Sequence, residues 1–213
     1  MVGISKRGAL IGIEGIDAAG KRTQTTLLSS WLKSRGLTVE AASFPDYSTS
    51  IGREIHDFLH GKKAYPAEVR HMLFAANRWE NKARLEGLLT RSDVCIVDRY
   101  TESNLAYGIA NGLGLEWLLG LESGLPRTDL VLILDAHPAA TSKRRPSTTD
   151  RYELDEAIQE QARQAYRRLA PKFGWKIIDA TSGINRIHIS VISEVAELLP
   201  SARPVKAQLG EKG

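Results

Sequence analysis

The stretch Gly15-Ile16-Asp17-Ala18-Ala19-Gly20-Lys21-Arg22-Thr23 has the residue types and spacing for phosphate chemistry. It follows the apolar run Leu10-Ile11-Gly12-Ile13 and precedes a pattern in which Leu27, Leu28, Trp31 and Leu32 share one helical face. Strand, glycine loop, helix is the context in which G-x-x-x-x-G-K makes a cradle for phosphate. Glycines at 15 and 20 let the main chain turn tightly and approach an anion with no side chain in the way. Successive N–H groups and the positive end of the helix then surround the phosphates, and Lys21 reaches the outer ones. One position departs from the motif: the residue after the lysine is normally Ser or Thr, whose hydroxyl ligates Mg²⁺, and here it is Arg22. Thr23 lies about 100° further round the helix and cannot simply replace that hydroxyl. Arg22 is therefore expected to neutralise phosphate charge directly.

A second group is Asp98-Arg99-Tyr100, at the end of Val94-Cys95-Ile96-Val97. Such an apolar run reads as a strand buried on both faces of a parallel sheet, and ligands of those sheets collect at the carboxyl ends of the strands. Asp98 and Arg99 should emerge beside the glycine loop, Asp98 to orient magnesium-bound water and Arg99 to grip phosphate. An Asp capping the next helix beside a solvated Arg is the plainer alternative. In that helix Ser103, Asn104 and Tyr107 are three and four apart and line one side of a pocket. Phe74 and Arg78 also meet at helical spacing, beside Trp79, and can stack on and hydrogen-bond a planar base; the same spacing is met by core aromatics with Arg78 on the surface. Lys143-Arg144-Arg145-Pro146-Ser147-Thr148-Thr149-Asp150-Arg151 has four cations in nine residues and no apolar side chain. It reads as a lid, about 143–151, that closes over phosphates and brings charge to a transition state.

The elements that hold these groups alternate. After the first helix, Thr38 to Phe44 reads as a strand, which Pro45 ends. Ile51, Ile55, Phe58 and Leu59 mark a helix. Pro66 opens a long helix to about Leu89, with Val69, Leu73, Ala76 and Ala83 as its buried stripe. A piece around Leu115 to Leu121 leads to a fourth strand, Leu130 to Leu134, and Pro138 opens a short helix. A long helix runs from Glu153 to about Lys172, with Leu154, Ile158, Ala162, Ala165 and Leu169 inward. Trp175 to Ala180 is a fifth strand, and Ile184, Ile187, Val191, Val195 and Leu198 mark the closing helix. Strands alternating with helices imply an α/β fold with a parallel sheet covered on both faces.

The 213 residues suit one domain, expected at 1–199, with a polar, flexible tail at 200–213. A net charge of +4 and a pI near 9.2 favour anionic ligands. No basic tract with interleaved aromatics points to nucleic acid. Cys95 is the only cysteine, so no intrachain disulfide forms. Met1 to Gly8 is polar with no apolar segment behind it, and no run reaches membrane-spanning length; no membrane partner and a cytoplasmic location are expected.

Three separated stretches, with the phosphate loop, resemble the thymidylate kinase family. Phe44-Pro45-Asp46-Tyr47-Ser48 is similar to its phosphate-side segment, Leu73-Phe74-Ala75-Ala76-Asn77-Arg78-Trp79 to its base-reading helix, and Asp98-Arg99-Tyr100-Thr101-Glu102-Ser103-Asn104-Leu105-Ala106-Tyr107 to its D-R-Y helix. The resemblance implies a P-loop NTPase fold of nucleoside monophosphate kinase type: a five-stranded parallel sheet surrounded by helices, with a short basic lid. It implies transfer of phosphate from ATP to dTMP with Mg²⁺, in a homodimer. Phe74 would stack on thymine, Arg78 donate to its carbonyl oxygen, Asn104 approach the base edge and Tyr107 lie under the sugar. Asp17 would accept from the 3′-hydroxyl and, with Asp98, lie near the metal. Arg99 would hold the acceptor phosphate, and Phe44, Tyr47 and Ser103 complete the substrate side. The ATP side would comprise residues 15–23 (Gly15, Ile16, Asp17, Ala18, Ala19, Gly20, Lys21, Arg22, Thr23), with Arg144 and Ala180. Lys21, Asp98, Arg99, Arg144 and Arg151 are assigned to the transfer. Many members carry an arginine where Ala18 stands; with a small residue there, the catalytic arginine comes from the lid. Where others place an arginine two residues after Phe-Pro, this chain has Tyr47. A deoxynucleoside kinase and a non-catalytic nucleotide-binding module are the alternative readings.

Overall fold

The computed structural model describes residues 7–141 and 150–199. Arg144, the other expected lid residues before Asp150, and the 200–213 tail lie outside the described residues. Five strands, β1 (Ala9–Gly15), β2 (Val39–Ser43), β3 (Val94–Asp98), β4 (Leu130–Asp135) and β5 (Lys176–Asp179), form one sheet in the order β2-β3-β1-β4-β5. All four pairings are parallel, so each connection is a crossover carrying helix.

The helices are α1 (Lys21–Lys33), α2 (Ser50–Leu59), α3 (Ala67–Glu80), α4 (Lys82–Arg91), α5 (Thr101–Ala110), α6 (Leu115–Glu122), α7 (Pro138–Thr141), α8 (Arg151–Leu154), α9 (Glu156–Phe173) and α10 (Ile184–Leu198). Because successive strand side chains alternate, β1 and β3 feed two different cores. Ile11, Ile13, Val94 and Ile96 pack with Leu28 and Leu32 of α1 and with Val191 and Val195 of α10. Leu10, Cys95 and Val97 pack with Leu85, Leu88 and Leu89 of α4. Further along that face, Ile133 meets Ala106 of α5 and Ala162, Ala165 and Tyr166 of α9.

Two expected long helices are each divided. The stretch 66–89 breaks at Asn81, whose side chain donates to Asn77 O at 2.9 Å. Its buried residues are His71, Ala75, Asn77 and Arg78, whereas Val69, Leu73 and Ala76 are half-buried and Ala83 is exposed. The apolar stripe misidentified the inner face because α3 turns polar groups inward, each with a hydrogen-bond partner from another part of the chain. The second break is at Asp155, which caps α9 by accepting from Ile158 N at 3.0 Å. This puts Leu154 in the separate α8, 66% exposed instead of inward. Ile184, at the first turn of α10, is likewise exposed.

Leu28 is fully buried between α1 and the sheet. Leu28→Ala should cost about 2–5 kcal/mol, seen as a lower denaturant midpoint with an unchanged m value.

Candidate active site

The loop from β1 to α1 has the backbone that its glycines make available. Gly15 sits at φ +133°, where a Cβ would come within 2.5 Å of Leu134 O, and Gly20 caps α1 at φ +99° with no side chain over the first turn. The N–H groups opening α1 are thus left facing outward from the sheet edge. Lys21 Nζ folds back onto Gly15 O at 3.2 Å and Ile16 O at 2.8 Å. Burial, reinforced by the Arg99 cation, lowers its pKa from the ordinary lysine value.

Parallel pairing brings the Asp98-Arg99-Tyr100 motif to that loop: Ile13 of β1 stands opposite Asp98 of β3, and Arg99 N donates to Ile13 O at 3.1 Å. Arg99 Nη2 pairs with Asp17 Oδ1, and Nη1 donates to Gly15 O at 3.3 Å. Burial alone would raise the Asp17 carboxyl, but the Arg99 and Lys21 cations and hydrogen bonds from Gln159 and Arg99 hold it below the ordinary range. Fully buried Glu14 ties the motif down from beneath, accepting from Tyr100 N at 2.6 Å, Ser103 Oγ at 2.5 Å and Tyr166 OH at 2.7 Å.

Two openings meet at this junction. One is lined by Phe44, Phe74, Arg78, Asn104, Tyr107 and Tyr152 among others, aromatic walls with a few polar groups, the make-up of a site for a small organic ligand. The other runs along residues 17–24 and is walled by Asp98 and by Ser182, Gly183 and Ile184. Asp17, Phe44, Tyr47, Arg99 and Asp150 line both. The structure therefore brings Phe74, Arg78, Ser103, Asn104 and Tyr107 into one cavity, and joins it to Lys21, Arg22 and Thr23 through Asp17 and Arg99.

Four expected residues line neither opening: Gly15, Ile16, Ala180 and Arg151. Gly15 and Ile16 offer Lys21 their carbonyls instead, and Ala180 is fully buried, its N–H bonded to Asp135 O at 2.9 Å. The guanidinium carbon of Arg151 lies 4.5 Å from the Phe58 ring centroid. Among the described residues no group of three or more His, Cys, Asp or Glu could hold a metal ion; beside Asp17, which pairs with Arg99, the carboxylates that line the phosphate-side opening are Asp98 and Asp150.

Other residues of the site carry no motif. Tyr152 places its ring 5.7 Å from Tyr107 and 6.5 Å from Phe74, between centroids, and Arg70 Nη1 donates to its hydroxyl at 3.1 Å. Buried Gln159 accepts from Asp17 N at 3.0 Å and donates to Asp17 Oδ2 at 2.6 Å. Buried Asn77 accepts from Asp46 N at 2.8 Å and donates to Thr49 Oγ1 at 3.0 Å, clasping the turn after Pro45. Glu122, at the end of α6, makes a two-pronged pair with Arg78 through Nε and Nη2. The available signal was polarity at helix positions that should be apolar: Asn77 and Gln159 interrupt otherwise inward faces.

The family model described as thymidylate kinase matches residues 13–191. The thymidylate kinase of Schizosaccharomyces pombe is 37% identical over 197 residues, covering 90% of this chain and 93% of that protein. The thymidylate kinase of Homo sapiens is 36% identical over 206 residues, covering 94% and 97%. Among solved structures, thymidylate kinase from Candida albicans superposes with a TM-score of 0.80 at 30% identity, covering 92% of this chain and 94% of that one.

The cavity also contains a titration signal. Burial lowers His71 to about 4, a hydrogen bond with Asn104 opposes the shift, and the Arg70 and Arg78 cations add to it. Unfolded, the imidazole takes up its proton near pH 6.5. Between that value and about 4 the unfolded chain binds more protons, so this part of the stability is complete above pH 6.5 and is lost as the pH falls toward 4. In urea titrations at pH 7 and pH 4, His71→Gln should reduce the acid loss of stability by up to about 3 kcal/mol relative to the parent.

Proposed function

We infer the reaction from the family: the chain belongs to the thymidylate kinase family, and it transfers the γ-phosphoryl group of ATP to dTMP, giving dTDP and ADP. One observation supports the assignment of the two ends. The aromatic cavity with Arg78 and Asn104 shares Asp17 and Arg99 with the opening along the phosphate loop, so an acceptor phosphate and a triphosphate can meet there.

In the proposed arrangement Phe74 stacks on thymine, Arg78 donates to its 4-oxo group, and Tyr107 and Tyr152 enclose the sugar beside Asp17. Arg99 turns to the acceptor phosphate. The loop N–H groups and Lys21 hold the β and γ phosphates of ATP, with Arg22 adding charge where a hydroxyl would ordinarily stand. An anionic oxygen of dTMP attacks the γ phosphorus as the bond to the β–γ bridging oxygen breaks, and ADP carries that electron pair away. The nucleophile is already deprotonated, so no general base is assigned. The transition state is loose, which leaves alignment and charge stabilisation as the work of the protein.

Mg²⁺ is usually held by one or two carboxylates together with substrate phosphates and retained water, not by an all-protein cage. The donor set fits that pattern, with Asp98 as the residue that would hold it; when bound, the ion would supply charge neutralisation between the phosphates. A homodimer belongs to the same reading, and α3 offers Met72 and Trp79, 43% and 41% exposed, which line neither opening. No helix among the described residues is long and apolar enough to cross a membrane, and a cytoplasmic location is proposed with the rest. A single kinase domain over 1–199, with its lid at about 143–151 and a tail at 200–213, completes it.

ADP release coupled to NADH oxidation, with dTMP, thymidine, dUMP and dGMP as acceptors, tests the assignment: turnover should be fastest with dTMP and absent with thymidine. Turnover of thymidine but not dTMP would make the chain a nucleoside kinase, and no turnover at all would leave it a binding module. A second outcome concerns the arginine that Ala18 leaves to the lid, since such a charge is worth a rate factor of about 10³–10⁵. Arg144→Ala or Arg151→Ala should lower the single-turnover rate by about that factor, and a few-fold effect from both would refute a lid origin.

A further inference from the structure

Arg78 and Asn104 come from α3 and α5, and both are tied to a third helix by one carboxylate. Glu122, at the end of α6, accepts from Arg78 Nε at 3.0 Å, from Arg78 Nη2, and from Asn104 Nδ2 at 2.6 Å. Arg78 and Glu122 are nearly fully buried, with side-chain exposures of 4% and 6%. Yet Glu122 does not line the cavity, whereas Arg78 and Asn104 do. It stands one layer behind the wall, and the end of α6 is pinned to α3 by Trp79 Nε1 donating to Leu121 O at 2.8 Å.

This placement decides which atoms face a base. Two of the five N–H groups of Arg78 are committed to Glu122, which leaves the two on Nη1 and the second on Nη2 as donors for the cavity. Asn104 is orientated by elimination. A carboxylate and a carbonyl are acceptors only, so the amide group facing Glu122 and His71 O (2.6 and 3.3 Å) must be the NH₂. Its Oδ1 therefore points the other way, where His71 Nδ1 donates to it at 2.7 Å and a second lone pair remains. The cavity thus presents a donor at Arg78 and an acceptor at Asn104 side by side. That pair complements the imide edge of thymine or uracil, an oxo acceptor next to an N3–H donor. It opposes cytosine, whose amino group would meet a donor and whose bare N3 would meet an oxygen.

We propose that Glu122 is the positioning residue that sets this polarity, so that the carboxylate behind the wall selects an imide pyrimidine over an aminopyrimidine. The proposal rests on the acceptor site assigned above. Removing its charge while keeping its shape leaves Arg78 one neutral acceptor in place of a two-pronged carboxylate, and it allows the Asn104 amide to turn over, since the new side-chain amide can donate to Asn104 Oδ1. A turned amide would offer NH₂ to the base, the match for cytosine N3.

The test compares kcat/KM for dTMP and dCMP in the parent and in Glu122→Gln, with thermal melting to confirm folding. A residue that only stabilised the fold would lower both substrates alike. Positioning predicts that the dTMP:dCMP ratio falls at least tenfold, mostly through a higher KM for dTMP, with dCMP turnover held or raised. A folded variant whose ratio stays within threefold of the parent overturns the proposal, as does a parent that does not discriminate between the two. If Glu122→Gln does not fold, Glu122→Asp, which keeps the charge on a side chain one methylene shorter, should lower the ratio at least threefold, and an unmoved ratio there is equally fatal. A parent inactive on dTMP would instead count against the assigned reaction, so the two failures are distinguishable.

Discussion

The register between β1 and β3 is the constraint on which the site depends. With Ile13 opposite Asp98, both strands end at the same level, and chain segments some eighty residues apart deliver a phosphate loop and an arginine to one edge of the sheet. Arg99 follows immediately at φ +62°, a left-handed conformation that costs a residue with a Cβ about 1 kcal/mol or more. Two bonds on either side of its Cα hold it there: its own N–H to Ile13 O, and the next N–H, from Tyr100, to the buried Glu14 carboxylate. Glu14 is the penultimate residue of β1 and fully buried, so the strain is borne by the central strand of the sheet. A one-residue slip in this pairing would turn the side chains of β3 to the opposite face and carry Arg99 away from Asp17.

The same junction explains how a cationic pocket is stable without its ligand. Lys21 is satisfied by two main-chain carbonyls and Arg99 by Asp17 and Gly15 O, so neither cation is left buried and unpaired. Substrate phosphates bound there would exchange one set of acceptors for another instead of stripping water from bare charges. Asp17 would be the group released in that exchange, and Gln159, which bonds both its main-chain N–H and its carboxylate, holds it at the rim of both openings. A carboxylate freed from Arg99 and still held in place is well suited to accept from a sugar hydroxyl.

Much of this was readable from residue order. The strand-loop-helix context of Gly15 to Thr23 and the apolar run ending at Asp98 located the edge of the sheet, because parallel strands buried on both faces leave little choice of where their ends lie. Phe74, Arg78, Asn104 and Tyr107 could be named because stacking, donation and helical spacing are local properties. The buried face of α3 was not legible. Periodicity scores apolarity, and this helix turns His71, Asn77 and Arg78 inward, where Asn104, Asp46 and Glu122 meet them from other parts of the chain. Partners separated by thirty residues or more leave no pattern in the sequence; for that reason Glu122 gave no signal, and Gln159 showed only as a polar residue on an otherwise inward face without its partner Asp17. The break at Asp155 was in principle visible as an N-cap residue, but apolar residues at helical spacing run through it on both sides.

Ala18 bears on where the remaining positive charge must come from. It occupies φ +57° at the crest of the loop, lining the phosphate-side opening with a methyl group where many relatives present an arginine. The cations that line this opening among the described residues are Lys21, Arg22 and Arg99. Lys21 lies at the base of the loop and Arg99 toward the acceptor, so charge building on the equatorial oxygens between donor and acceptor would have Arg22 alone on the solvent side. Asp150 lines both openings, so the chain leaving the basic segment passes over the line of transfer. Arg151, one residue on, is turned to the Phe58 ring. For a cation borne on that segment to act on the phosphoryl group it must either precede Asp150 in the chain, as Arg144 and Arg145 do, or give up the Phe58 contact when substrate binds. The first route requires no rearrangement of a described residue, and on that ground Arg144 is the stronger candidate of the two.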